Sequence, residues 1–325
     1  MKVLVTGGAG YIGSHVVLDL ITAGHKVVIL DDMSLGCREN IHEEAEFIEG
    51  SILDEVMLVG VLSKNIDAVV HLAAFKAAGE SMMNPEKYSQ NNLNGTFNLL
   101  NSIMKHGVKT FVFSSSAAVY GYPEYLPLDE DHYLKPINYY GFTKLVIEQK
   151  LKWYHQLKGL KYASLRYFNA AGYDVNGRVF GLEKSPQNLL PIVMEVAIGQ
   201  RKSMNVFGDD YDTKDGTGVR DYIHVNDLAS AHVKALEYLQ DNDSFTVNLA
   251  TGDGYSVMDV IKEAVTVTGK TIAHTFVGRR PGDPAELIAT SKQANELLEW
   301  APQYSDLKTI LKSMWNVYNP EVKHD

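Results

Sequence analysis

The sequence holds a single cysteine, Cys37, among 325 residues, so no internal disulfide forms and a reducing compartment is expected. Cys37 stands in a polar stretch without a partner ligand and reads as an incidental thiol rather than a nucleophile. The histidines, His15, His25, His71, His106 and His224 among them, do not fall at metal-ligand spacing, and no metal is expected. No stretch approaches the roughly 20 apolar residues of a membrane span. The N-terminus reaches Gly7-Gly8 too soon for a secretory apolar region, which points to the cytoplasm. Positive charge is in deficit: 30 Lys and Arg against 40 Asp and Glu leave a net charge of −10. Such a chain has no polybasic footprint for nucleic acid or anionic lipid, so a small-molecule partner is expected instead.

What is present is an ordinary globular composition, 45% hydrophobic and 22% charged, long enough for one large domain and a smaller one. Apolar strands KVLVT (2–6), KVVILD (26–31), EFI (46–48), DAVVHLA (67–73) and TFVFSSS (110–116) alternate with helical stretches. One helix is expected from Asn84-Pro85 to Gly107 and another from about Asn138 to Lys158, ending at Gly159. Continuous apolar strands between helices predict an α/β fold, a Rossmann-type doubly wound parallel sheet with a smaller mixed α/β substrate-binding domain. The expected division is 1–168 for the cofactor-binding domain, with returning segments at about 221–250, and 169–325 mainly for the substrate. Ligands bind outside the carboxyl ends of such strands, which puts Gly7 to Gly13, Asp31, Leu72 to Lys76 and Ser114 to Ser116 on one rim.

Thr6-Gly7-Gly8-Ala9-Gly10-Tyr11-Ile12-Gly13 follows a strand and opens a helix. Gly7 suits the tight turn, Gly10 a close backbone approach to a pyrophosphate, and Gly13 close helix–sheet packing, while the helix N-terminus offers N–H donors. Asp31, ending the second strand, suits a ribose diol and would repel a 2′-phosphate, so NAD is expected over NADP. Tyr140 and Lys144 lie one turn apart on a predicted helix. An ammonium near a phenol depresses its pKa, so Tyr140 is expected to serve as a general base, with Ser116 relaying the proton.

These residues, with the segments VTGGAGYIGSH (5–15), HLAAFKAAGES (71–81), NNLNGT (91–96), FSSSAAVYG (113–121), YYGFTK (139–144), LRYFNAAG (165–172), DGTGVRDYIHVNDLA (215–229) and RRPGD (279–283), carry a resemblance that runs almost end to end. The sequence resembles the extended short-chain dehydrogenase/reductase family, in its branch of nucleotide-sugar epimerases. The resemblance implies interconversion of UDP-galactose and UDP-glucose by transient oxidation at sugar C4, with the hydride returned to the opposite face. It implies Ser116, Tyr140 and Lys144 as the catalytic set. Gly7, Gly10, Tyr11, Ile12, Gly13, Asp31, Leu72, Lys76, Asn91, Tyr140, Lys144 and Tyr167 would line NAD. Ser51 and Ile52 stand where the family often has an acidic adenine contact. Ser116, Asn169, Asn188, Leu189, Phe207, Arg220, Arg280, Asp283 and Leu287 match its UDP-sugar positions. Phe207 would face the uracil, two arginines would clamp the pyrophosphate, and Leu287 would border the hexose C2 substituent. The resemblance further implies a homodimer paired through the helices at about 85–106 and 138–158.

Two rival readings are weaker. A 4,6-dehydratase of the same family would need an Asp-Glu pair after the active-site hydroxyl, and here those positions are Ala117-Ala118, which cannot transfer protons. A non-catalytic NAD sensor would have no use for Ser116, Tyr140 and Lys144 together.

Overall fold

The structure is a computed structural model that describes residues 1–184, 186–280, 282–319 and 321, so the proline of the 279–283 motif lies outside the described residues. The first half alternates β1 (Lys2–Thr6), α1 (Tyr11–Thr22), β2 (Lys26–Asp31), β3 (Glu46–Glu49), α2 (Glu55–Leu62), β4 (Ala68–His71), α3 (Ala78–Met83), α4 (Pro85–Tyr88), α5 (Thr96–Lys105), β5 (Thr110–Ser116), α6 (Tyr139–Lys158) and β6 (Lys161–Tyr167). The second half contains β7 (Asn169–Ala171), α7 (Leu189–Ala197), β8 (Met204–Phe207), β9 (Val219–Arg220), β10 (Tyr222–His224), α8 (Val225–Asp241) and β11 (Phe245–Leu249). It closes with β12 (Tyr255–Ser256), α9 (Val257–Thr268), β13 (His274–Val277), β14 (Glu286–Leu287), α10 (Lys292–Leu298) and α11 (Leu307–Tyr318).

The central sheet has seven parallel strands in the order β11-β6-β5-β4-β1-β2-β3. Strand side chains alternate between faces, and β1 shows the result: Val3 and Val5 join the core under α1 and α8, whereas Leu4 joins the core under α2, α5 and α6. Both faces are covered, which is why the strands read as unbroken apolar runs. The order reverses direction between β1 and β4, and Gly7 and Leu72 meet there, with the Leu72 amide donating to the Thr6 carbonyl at 3.0 Å. A third core, around α7, α9 and α11, sits in the second half. Small sheets β12-β9-β14 and β13-β8 carry the 207–220 and 280–287 segments beside the carboxyl edge of the large sheet. Among the described residues no helix is long and apolar enough to cross a membrane.

The helix expected from residue 85 to 107 is instead three pieces, because a π-helical segment, Ser89–Gly95, separates α4 from α5. The Asn92 side chain accepts from the Phe75 amide at 3.0 Å and donates to the Phe75 carbonyl at 2.9 Å, so this widened turn grips the loop after β4. The stretch 169–215, which follows the regular alternation of the first half, contains β7, α7 and β8. The helix α6 has the bounds its caps predict: the Asn138 side chain accepts from the Gly141 amide at 2.8 Å, and Gly159 ends the helix in the left-handed region at φ 67°.

Candidate active site

Gly7 turns β1 into the following loop at φ +75°, and a Cβ there would lie 2.7 Å from the Ala73 nitrogen. At Gly13 the constraint is closer still, since a Cβ would stand 2.0 Å from the Gly7 carbonyl oxygen. The turn and α1 therefore pack backbone to backbone. Gly10, the N-cap of α1, has no side chain to satisfy the first-turn amides of Tyr11, Ile12 and Gly13, which stay available to an anion. Asp31, 7% exposed, braces this loop by accepting from the Ala9 amide at 3.0 Å and the Met33 amide at 2.9 Å, and burial pushes its carboxyl pKa up. Arg38, the cation nearest in sequence that could have met a 2′-phosphate, is paired with Glu49 at 2.6 Å. These residues fit NAD: a cradle with no room for side chains, bare helix amides and a carboxylate at the end of β2.

The other expected cofactor residues lie around the same rim. Lys76 is ion-paired with Glu183 and sits 5.8 Å from the centre of the Tyr11 ring. The Tyr11 hydroxyl donates to the Gly172 carbonyl at 2.5 Å, which ties the fingerprint loop to the second half. Asn91 lies in the π segment and donates to Asn92 at 3.2 Å. Ile52 is buried, and the Ser51 hydroxyl accepts from the Leu53 amide at 3.2 Å, which leaves its O–H free to donate.

Ser114, Ser115 and Ser116 end β5 and meet α6. The Ser114 carbonyl accepts from the Lys144 ammonium at 2.7 Å, and the Ser116 hydroxyl lies near enough to the Tyr140 phenol to stabilise its ionised form. The Tyr140 amide donates to the Ser81 hydroxyl at 3.0 Å. Helix α6 approaches closely here because residue 141 is glycine; a Cβ would lie 2.3 Å from the Ala118 carbonyl oxygen. The Lys144 nitrogen is 5.7 Å from the Tyr140 ring centre. The expectation of a net depressed phenol is corrected: burial outweighs the favourable neighbours and pushes the Tyr140 pKa up, and the nearby Ser116 hydroxyl only draws it part of the way back. Burial also lowers Lys144 to about 7, against the opposing influence of Glu148. Tyr167, at the end of β6, is pushed up by burial, which the nearby Ser114 side chain only partly offsets.

The expected substrate residues form a second cluster. The Arg220 guanidinium is paired with Asp283 and also donates to the carbonyls of Val219 at 2.7 Å and Pro284 at 2.8 Å. Arg220 does not pair with the adjacent Asp221, whose buried carboxylate accepts instead from the Thr251 and Gly252 amides at 2.9 and 3.1 Å. The Arg280 guanidinium lies 4.3 Å from the centre of the Phe207 ring, on the aromatic residue expected to meet a uracil. Asn169 donates to the Asp221 carbonyl at 3.0 Å, Asn188 precedes α7 without a capping hydrogen bond from its side chain, and Leu189 is the first residue of that helix. Leu287 pairs with Arg220 in register and packs against the cluster containing Ala117 and Phe168, which brings it close to Ser116.

Sequence reasoning missed Glu148 and Arg166, which with Ser115 form a buried network one turn behind Lys144. The Glu148 carboxylate accepts from Ser115 at 2.5 Å and from two nitrogens of Arg166 at 2.9 and 2.6 Å. The available signals were a carboxylate one turn beyond Lys144 and an arginine inside the apolar strand KYASLRYF. Among the described residues no group of histidine, cysteine or acidic side chains could hold a metal ion.

A sequence model of the NAD dependent epimerase/dehydratase family matches residues 3–250. The UDP-glucose 4-epimerase of Halalkalibacterium halodurans is 47% identical over 319 residues, covering 97% of this chain and 95% of that one. Among solved structures, UDP-glucose 4-epimerase from Brucella ovis in complex with NAD is 42% identical, with a TM-score of 0.93 over 96% of each chain. The enzyme of the same name from Bifidobacterium longum, in complex with NAD+ and UDP, is 38% identical with a TM-score of 0.93, over 99% of this chain and 100% of that one. With the fingerprint turn, the seven-stranded sheet and likeness along nearly the whole length in agreement, the chain belongs to the NAD dependent epimerase/dehydratase family.

Proposed function

We propose that the protein interconverts UDP-galactose and UDP-glucose by inverting sugar C4. The observation that carries this reading is the meeting of Ser116, Tyr140 and Lys144 at the carboxyl edge of the sheet, beside the Gly7–Gly13 turn. NAD would be held by Gly7, Gly10, Tyr11, Ile12, Gly13, Asp31, Leu72, Lys76, Asn91, Tyr140, Lys144 and Tyr167, with Ser51 and Ile52 towards the adenine. When bound, NAD supplies the ability to accept a hydride from C4 and give it back, so the reaction has no net redox change. Tyr140 takes the proton from the C4 hydroxyl, directly or through Ser116, and returns it to the same oxygen after inversion. Because burial raises the phenol pKa, its ionisation depends on positive charge within the site, and Lys144 is the chain's own source of it.

Asn169, Asn188, Leu189, Phe207, Arg220, Arg280 and Asp283 would hold the UDP moiety. Arg220 and Arg280 have internal partners, Asp283 and the Phe207 ring, which the pyrophosphate and uracil would replace. Holding the nucleotide while leaving the hexose loosely bound lets the ketosugar present either face. The likeness to structures that contain NAD and UDP supports this assignment. The test is incubation with UDP-galactose without added cofactor, followed by NMR of the sugars and acid release of nucleotide. UDP-glucose should form, and about one NAD per chain should be recovered. Protein free of nucleotide whose activity strictly requires added NAD would sink the retained-cofactor part of the reading.

Leu287 sets a preference against N-acetylated sugars in this reading. A branched apolar side chain beside C2 leaves an acetamide displaced or unpaired, a penalty of about 1 to 3 kcal/mol, or roughly 10- to 200-fold in kcat/KM. Leu287→Ser should narrow the ratio of kcat/KM for UDP-galactose over UDP-N-acetylgalactosamine. Near-equal values in the parent enzyme would remove Leu287 as a gate.

The chain works as a homodimer in this reading, paired through α5 and α6. Trp153 and Leu157 on α6 are 60% and 69% exposed, and a cleft of about 310 Å³ between the helices is lined in part by Met104, Tyr154 and Leu157. A single thiol suits work in a reducing cytoplasm.

A further inference from the structure

Each of the three serines ending β5 engages a different residue of α6. The Ser116 hydroxyl lies near the Tyr140 phenol, the Ser114 carbonyl accepts from Lys144 at 2.7 Å, and the Ser115 hydroxyl donates to Glu148 at 2.5 Å. The three helix residues are spaced one turn apart, and Lys144 and Glu148 are only 4% and 2% exposed. Arg166, 3% exposed on the neighbouring strand β6, grips both Glu148 oxygens and donates onward to the Tyr120 hydroxyl at 3.0 Å. We propose that Glu148 is a positioning residue for the reaction above, whose carboxylate offsets Arg166 so that Lys144 stays protonated beside Tyr140.

The argument is one of charge in a dry layer. With Lys144 protonated, Lys144, Glu148 and Arg166 together carry one net positive charge, and because Glu148 is paired with Arg166 that charge falls to Lys144. With the carboxylate neutralised, two cations would share that layer. Guanidinium does not release its proton in a protein, but an ammonium does, so Lys144 would be the one to discharge. A neutral amine no longer favours the Tyr140 phenolate. The other titratable groups around this layer are fixed. His71, at the end of β4, is held neutral by burial at about 3, and His232, across from Ser114, at about 4. Tyr120 and Tyr162, facing Arg166 and Glu148, are pushed up by burial, as is Tyr167 near Tyr140. Glu130 bonds the Asn248 amide at 2.6 Å and faces Arg166 from the outer side.

The inference rests on the proposed role of Tyr140, and opposite-sign variants test it. Glu148→Gln keeps the shape and removes the charge. Its kcat–pH profile should move towards alkaline pH by about one unit, making kcat roughly fivefold lower at the parent's midpoint and about tenfold lower well below it, with KM for UDP-galactose within about twofold. Arg166→Gln leaves the carboxylate to Lys144 alone and should move the profile towards acid pH. A purely structural role would depress both variants without moving either profile in opposite senses. Where one variant does not fold, the sign of the other decides. Ultraviolet titration of the Tyr140 phenolate, taken as the difference from Tyr140→Phe protein, reads the same shift without turnover. It separates a failure of this inference from a failure of the epimerase reading. Profiles and phenol titrations that superimpose on the parent's would overturn the proposal.

Discussion

Tyr140→Phe is expected to lower kcat for UDP-galactose by about 10²- to 10⁴-fold, the usual worth of a positioned acid or base, with KM nearly unchanged. The substitution removes one oxygen and leaves the ring. Residue 140 keeps its backbone bond to Ser81 and its place at the start of α6, so the helix is not disturbed. What is lost is the phenol beside Ser116 that can exchange a proton with a sugar hydroxyl. Ser116→Ala should cost less, because the phenol can then reach the hydroxyl directly. Steady-state kinetics on the two variants, with bound nucleotide measured alongside, gives the comparison. A Tyr140→Phe enzyme of parental kcat would remove the residue from the mechanism.

Gly13→Ala is expected to cut retained NAD at least tenfold, measured as nucleotide released by acid after gel filtration. The new Cβ would stand 2.0 Å from the Gly7 oxygen and 2.9 Å from the Gly8 Cα, and both are backbone atoms that no rotamer change can move. Either α1 backs away from the sheet or the β1–α1 turn unwinds, and both displace the amides that face the pyrophosphate. Overpacking of this kind costs about 1 to 3 kcal/mol, and each 1.4 kcal/mol transferred to binding is about tenfold. Gly60→Ala serves as the control, because that glycine lies within α2 with nothing near its Cβ position, and the change should be neutral or stabilising. Normal NAD content in Gly13→Ala protein would show that the close approach at residue 13 is not needed for retention.

Features set by local chemistry were legible in the sequence. Helix α6 announces itself through Asn138 and Gly159, and the β1–α1 turn through its glycines, because caps and tight turns are properties of a few adjacent residues. The break between α4 and α5 was not legible, since it depends on Asn92 finding the Phe75 backbone across the fold. The same holds in the site. Gly7, Asp31, Ser116, Tyr140 and Lys144 come together as the order of strands and helices implies. The pairings of Arg220 with Asp283 and of Arg280 with Phe207 join segments far apart in the chain, and no spacing encodes them. The pKa of Tyr140 was misjudged for a related reason. Adjacency on a helix is visible in sequence, whereas desolvation is a property of everything packed around the phenol.

The position of β11 has a consequence for how the chain is made. This strand, Phe245–Leu249, pairs with β6, yet the ribosome delivers it long after Tyr167. At about 5 to 20 residues per second, the stretch from Tyr167 to Leu249 takes roughly 4 to 16 s to synthesise. For that interval the outer edge of β6 has unpaired amides and carbonyls, and the sheet face that α8 will cover stays wet. A nascent chain stalled or truncated before Leu249 is therefore not a small stable cofactor-binding protein but an aggregation-prone half-sheet, and the last part of the first fold waits on the second half of translation.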